Sequence, residues 1–107
     1  MNVAIVGATG YGGLQLVNLL RRNKNFNITF LGGNKSSGSK WNEMFPFINL
    51  ENDITIEKYS PKRILESSEI AILSLPNGLS STITPELINK GIKVIDLSAD
   101  YRYKSLD

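Results

Sequence analysis

Apolar residues fall in short blocks along this chain, and the spacing inside each block predicts its element. Asn2 to Val6 and Ile70 to Leu75 are nearly unbroken apolar runs, the pattern of strands in a parallel sheet covered on both faces. Ile28 to Leu31 and Ile92 to Leu97 read as further strands, and Ile54 to Tyr59 alternates well enough for another. Over Tyr11 to Asn23, Leu14, Val17 and Leu20 recur every third position and Leu16 and Leu19 widen the stripe, which predicts an amphipathic helix. Its end carries Arg21, Arg22 and Lys24, where the helix dipole favours positive charge. Ser60-Pro61 starts a short helix through Ser67, with serine as N-cap and proline in the first turn. Thr84-Pro85-Glu86 marks either a helix start or a kink in a helix begun near Ser80, and Gly91 is placed to end it.

The order strand, helix, strand, strand, helix, strand, helix, strand predicts an α/β fold: a doubly wound, mostly parallel, Rossmann-like sheet with helices on both faces. A chain of 107 residues suits one such domain. Between Asn34 and Asp53 no strand or helix pattern appears, although Trp41, Phe45, Pro46 and Phe47 sit in the middle. A loop of that length implies a task such as covering a ligand, or aromatics that tuck beneath it as a satellite core.

The hinge between first strand and first helix reads "IVGATGYGG". Gly7, Gly10 and Gly13 stand three apart, a relative of the G-x-G-x-x-G fingerprint. In that arrangement Gly7 permits the tight turn, Gly10 lets a phosphate approach bare backbone, and Gly13 lets the helix pack close; Thr9 adds a hydroxyl. The alternative is a glycine-rich turn that serves packing alone. After the second strand comes "GGNKSSGSKW", with no acid to take ribose hydroxyls but with Lys35, Lys40, Ser36, Ser37 and Ser39. That favours NADP over NAD, against the alternative of a solvated polar turn.

Composition narrows the chemistry. There is no cysteine and no histidine, which excludes a disulfide framework, a thiolate metal site and the usual general base, so no metal ligand or catalytic residue is nominated. The net charge of +2 is unevenly laid out. Residues 1–42 hold five bases, Arg21, Arg22, Lys24, Lys35 and Lys40, and no acid, while all ten acids follow. Such a segment suits a small polyanion, although helix ends and solvated loops carry lysine for no such reason. Basic residues are dispersed without aromatic interleaving, so nucleic acid is not an expected partner. No run approaches the ~20 apolar residues that span a bilayer, and no export signal precedes the first strand. The expectation is a cytoplasmic protein with no membrane partner.

Together "VAIVGATGYGGLQLVNLL", "NKSSGSKW", "LSLPNGLS" and "VIDLSADYR" resemble, in order and over essentially the whole chain, the N-terminal part of the N-acetyl-γ-glutamyl-phosphate reductases, NADPH-dependent enzymes of arginine biosynthesis. The first motif is shared with aspartate-semialdehyde dehydrogenases. "DLSADYR" is closer to the reductases, since the aspartate enzymes tend to carry an Asn-Ser-Ser version there. The resemblance implies that Gly7, Ala8, Thr9, Gly10, Tyr11, Gly12 and Gly13 surround the pyrophosphate, and that Lys35, Ser36 and Ser37 hold the 2′-phosphate end. Leu75, Pro76 and Asn77 would lie beside the dinucleotide, and Ser98, Ala99 and Asp100 would leave the last strand toward the substrate side. Lys35 stands where the family usually has arginine, which keeps charge but loses the planar fork, and Asn77 where it often has histidine. Asp96, Asp100 and Arg102 read as strand-end charges or a local ion pair as readily as site residues.

Family chemistry runs through a cysteine thiolate assisted by a histidine, both on a second domain. The 107 residues are therefore expected to be an N-terminal cofactor-binding part, incomplete without that domain and inactive alone. The full-length form would be a homo-oligomer acting on a small-molecule substrate. Two alternatives remain beside it: a reductase of another acyl phosphate (aspartyl, aminoadipyl or glutamyl), and a free-standing NADP-binding module.

Overall fold

The structure, a computed structural model, describes residues 1–76 and 78–97. Four strands form one sheet: β1 (Asn2–Val6), β2 (Asn27–Gly32), β3 (Ile70–Leu73) and β4 (Lys93–Asp96). Their order is β2-β1-β3-β4 and all three pairings are parallel. The helices are α1 (Tyr11–Leu20), α2 (Trp41–Met44), α3 (Pro61–Ser67) and α4 (Leu79–Asn89), with a single 3-10 turn at Pro46–Ile48.

The period-two alternation of a strand sorts the core into two layers. Val3 and Ile5 of β1, with Leu31 and Ile72, pack against Val17 and Leu20 of α1 and against Trp41 and Ile56. Ala4 and Val6, with Phe30, Ala71 and Leu73, pack against Ile64 of α3 and Ile83 and Leu87 of α4. Both faces of β1 are buried, hence its unbroken apolar run.

Local signals explain the helix ends. The Ser60 hydroxyl accepts from the Arg63 N–H at the start of α3, with Pro61 in the first turn. At the end of α4, Gly91 turns to φ 86°. Its N–H reaches the Ile88 carbonyl at 2.9 Å and the Ile92 N–H reaches Leu87 at 3.1 Å, a Schellman close that feeds β4. α4 runs continuously from Leu79 with Pro85 inside it, so Thr84-Pro85 is not a helix start.

Three sequence expectations change. α1 ends at Leu20, not Asn23: the Arg21 N–H closes on Val17, and an Asn23-to-Asn25 turn follows, held by the Asn23 side chain. Ile54 to Tyr59 is not a ladder strand; it touches neighbours through isolated bridges at Gly32 with Glu57 and at Lys40 with Thr55. Its hydrogen bonds divide between two partners, Glu57 with Leu31 and Gly33 on one side and Ile56 with Gly38 and Ser39 on the other, while buried Ile56 supplies the alternation. Within 34–53 the chain folds on itself. Trp41 is fully buried in the main core, its Nε1–H bonded to the Ile48 carbonyl at 2.8 Å and its ring 4.4 Å from that of Phe45. Asn42 clamps Leu50 through both ends of its amide. The tucked alternative holds for Trp41 and Phe45, whereas Phe47 is 93% exposed.

Candidate functional site

β1 ends at Val6 and the chain turns at once. Gly7 has φ 86°, and its N–H and that of Ala8 both donate to the Gly32 carbonyl, at 3.0 and 2.9 Å, which pins the turn to the end of β2. A Cβ on Gly7 would strike the Ser74 carbonyl, and one on Gly13 would strike the Gly7 carbonyl and lie 2.7 Å from the Ala8 Cα. These glycines let β3 and α1 close on the turn. Gly10 differs: a Cβ there would meet only the Gly7 carbonyl oxygen, at 3.6 Å.

Gly10 is the N-cap of α1, with no side chain capping it. The first intrahelical bond runs from the Leu14 N–H to Gly10, at 2.9 Å, so the N–H groups of Tyr11, Gly12 and Gly13 have no acceptor among the described residues. No acid stands in the first turn. Free donors, the positive end of the helix dipole and a bare Gly10 together make a cradle for an anion. Ala8 is buried with its N–H on Gly32, so it holds the turn instead of offering a donor. Tyr11 is exposed beside the cradle.

A cleft of about 460 Å³ opens from this turn. Gly7, Thr9 and Gly10 line it together with Gly32 at the end of β2, Gly33 and Asn34 beyond it, Leu75 and Pro76 after β3, and α4. Lys35, Ser36 and Ser37 follow Asn34 in a turn outside the cleft lining. The Ser37 hydroxyl donates to the Asn34 carbonyl at 3.1 Å; Lys35 is exposed with no ion pair among the described residues. Asn77 and Ser98, with Ala99, Asp100 and Arg102, lie outside the described residues.

Several residues at the site were not nominated from sequence. Ser74 brings a hydroxyl 2.8 Å from where a Gly12 Cβ would stand. α4 presents Leu79, Thr82, Ile83 and Glu86, spaced three, four and seven apart on one helical face. The Tyr59 hydroxyl donates to Glu86 Oε1 at 2.8 Å. Burial first, then the adjoining Glu86 carboxylate, push the Tyr59 phenol well above its ordinary value and keep it protonated as a donor. Glu57, bonded through its backbone to Gly33, is the acid brought near the end of β2; Arg63 holds its carboxylate by two contacts, at 3.0 and 3.3 Å. Helical spacing around Thr84-Pro85 could have indicated the α4 face, but the Tyr59 and Glu86 contact has no local signal.

A second cleft, of about 630 Å³, lies at the opposite end of the sheet among Asn2, Arg21, Arg22, Lys24 and Glu51. Among the described residues no three His, Cys, Asp or Glu gather as a metal site, and no helix is long and apolar enough to cross a membrane.

A parallel sheet with strand order 2-1-3-4, a glycine turn at the end of its central strand and an uncapped helix aimed over that turn define a dinucleotide-binding α/β domain. The sequence model of the semialdehyde dehydrogenase NAD binding domain matches residues 2–106, and the chain belongs to that family. It is similar to the N-acetyl-gamma-glutamyl-phosphate reductases of Prochlorococcus marinus subsp. pastoris (69% identical over 107 residues) and P. marinus strain MIT 9215 (68% over 107). Each match covers 100% of this chain and 30% of the relative, so the chain spans about a third of the length of these curated relatives. Its fold is that of the Candida albicans aspartate semialdehyde dehydrogenase crystallised with NADP (TM-score 0.77, 22% identity, 94% of this chain and 30% of that one). A probable aspartate-semialdehyde dehydrogenase from Pseudomonas aeruginosa superposes with TM-score 0.70 at 26% identity, over 92% of this chain and 28% of the other.

Proposed function

We propose that this chain is the NADP-binding part of a reductase that converts N-acetyl-γ-glutamyl phosphate to N-acetylglutamate semialdehyde in arginine biosynthesis. The observation that carries the reading is the cradle: three unpaired N–H groups at the start of α1 over a Gly10 whose missing side chain leaves room for a phosphate. A diphosphate fits such donors, because charge-assisted bonds to backbone N–H groups are strong and no side chain must be displaced. Identity of 68–69% to named reductases over the full chain favours this acyl phosphate over the aspartyl or aminoadipyl alternatives. When bound, NADPH would supply a hydride. The residues of this chain would grip and orient the dinucleotide, the thiolate chemistry belonging to residues that this sequence does not contain. The small-molecule substrate, homo-oligomeric assembly and cytoplasmic setting of the whole enzyme are part of the same proposal.

Preference for NADP over NAD is supported by charge around the end of β2. Lys35 is exposed and unpaired among the described residues, the turn 34–40 holds no acid, and Arg63 matches the Glu57 carboxylate. Lys35 and Ser36 are the proposed 2′-phosphate contacts, with Ser37 shaping their turn, and Leu75, Pro76, Asn77 and Ser98 are proposed neighbours of the rest of the cofactor. Calorimetric titration of the chain with each dinucleotide tests this. NADP should bind about tenfold more tightly, the scale of one charge-assisted contact. Equal or reversed affinities would remove the preference, and no binding of either would remove the site.

A further inference from the structure

The cleft carries one charged side chain among its lining residues, and its sign is wrong for a polyanion. Glu86 projects from α4 into a space lined by apolar Leu75, Pro76, Leu79 and Ile83, by backbone and by neutral polar residues such as Asn34 and Thr82. A carboxylate there repels a phosphate unless it meets an uncharged ring of the ligand and accepts a hydrogen bond from it. Tyr59 fixes how it does so. Its hydroxyl donates to Oε1 at 2.8 Å, which leaves Oε2 with no donor among the described residues.

We infer that the Tyr59 and Glu86 pair reads the base of the dinucleotide: Glu86 Oε2 accepts from the exocyclic amine of adenine, and Tyr59 is the positioning residue that aims the carboxylate. The inference rests on the dinucleotide reading above. Leu75, Pro76, Leu79 and Ile83 suit a planar ring, while the one carboxylate among the lining residues, oriented by Tyr59, sets which ring is taken. Hypoxanthine presents a carbonyl oxygen where adenine presents an amine, so it would set an acceptor against a carboxylate. Guanine does the same. Glu86 is exposed in the free chain and a bound ring would cover it, so the analogue that lacks the amine sets its carbonyl oxygen against a carboxylate oxygen newly shielded from water and left unpaired.

The test is calorimetric titration of the chain with NADP and with nicotinamide hypoxanthine dinucleotide phosphate, on the wild type, Glu86→Gln and Tyr59→Phe. Wild type should bind the hypoxanthine form about tenfold more weakly. Glu86→Gln keeps an acceptor for Tyr59 and adds a donor for the hypoxanthine carbonyl, so the two affinities should converge to within about twofold. Tyr59→Phe should narrow the preference in part by freeing the carboxylate. A contact that only fastened α4 to the segment before α3 would change thermal stability and leave the ratio of affinities alone. Equal wild-type affinities for the two dinucleotides, or an unchanged ratio in Glu86→Gln, would overturn the inference and leave the cradle standing. Failure of wild type to bind either would remove the cradle reading, and this one with it.

Discussion

At the scale of single residues, glycines of one motif do different physical work, and substitution separates them. Gly13 lies where α1 crosses the turn, and a methyl there collides with backbone of Gly7 and Ala8 that β2 has already pinned. Gly13→Ala should therefore lower stability by about 1–3 kcal/mol in urea unfolding, the usual scale of overpacking. Gly10 has φ −77° and ψ 170°, extended backbone open to any residue, and space for a side chain. Gly10→Val should unfold at about the wild-type urea midpoint yet lose dinucleotide binding by at least about a hundredfold, since its methyls fill the phosphate position. Undiminished affinity in a folded Gly10→Val chain would show that no phosphate sits there.

At the scale of elements, legibility followed the locality of the physics. The β1-to-α1 unit is readable because burial on both faces forces an unbroken run and close packing forces glycine, both within thirteen residues. Ser60-Pro61 and Gly91 are readable because caps are satisfied by neighbours in sequence. Ile54 to Tyr59 misleads because one-sided burial of Ile56 gives a strand's alternation, while its hydrogen bonds go half to β2 and half to residues 38–41. Tyr59 and Glu86 stand 27 positions apart and meet only after α3 and α4 share a face of the sheet, so no local pattern announces them. The 34–53 segment lies between these cases: its aromatics are visible, but which of them turns inward is decided by tertiary contacts. Trp41→Ala should cost about 3–5 kcal/mol in urea unfolding, with a cavity beside α1 and β2. Phe47→Ala should stay within about 0.5 kcal/mol, since that ring is in solvent. Similar losses at the two positions would contradict the burial that organises this segment.

At the scale of the whole molecule, the proposed function divides binding from chemistry. The donors at the start of α1, the cleft along α4 and the turn after β2 gather at the ends of the strands, the region where open parallel sheets take nucleotides. Reduction of an acyl phosphate to an aldehyde needs more than a held hydride donor. A thiolate must displace phosphate, and a base must manage the proton; direct hydride attack on an acyl phosphate lacks both the covalent intermediate and the acid that would stabilise the oxyanion. This sequence has no cysteine and no histidine, and no other side chain of the cleft is a substitute: Glu86 faces the base end in our reading and Tyr59 holds its proton. The 107-residue chain mixed with N-acetyl-γ-glutamyl phosphate and NADPH should accordingly show cofactor binding by calorimetry and no loss of reduced nicotinamide absorbance above a protein-free control. Turnover by the pure chain, abolished in Gly10→Val, would mean that the sheet carries chemistry as well as cofactor, and the proposed division would fail.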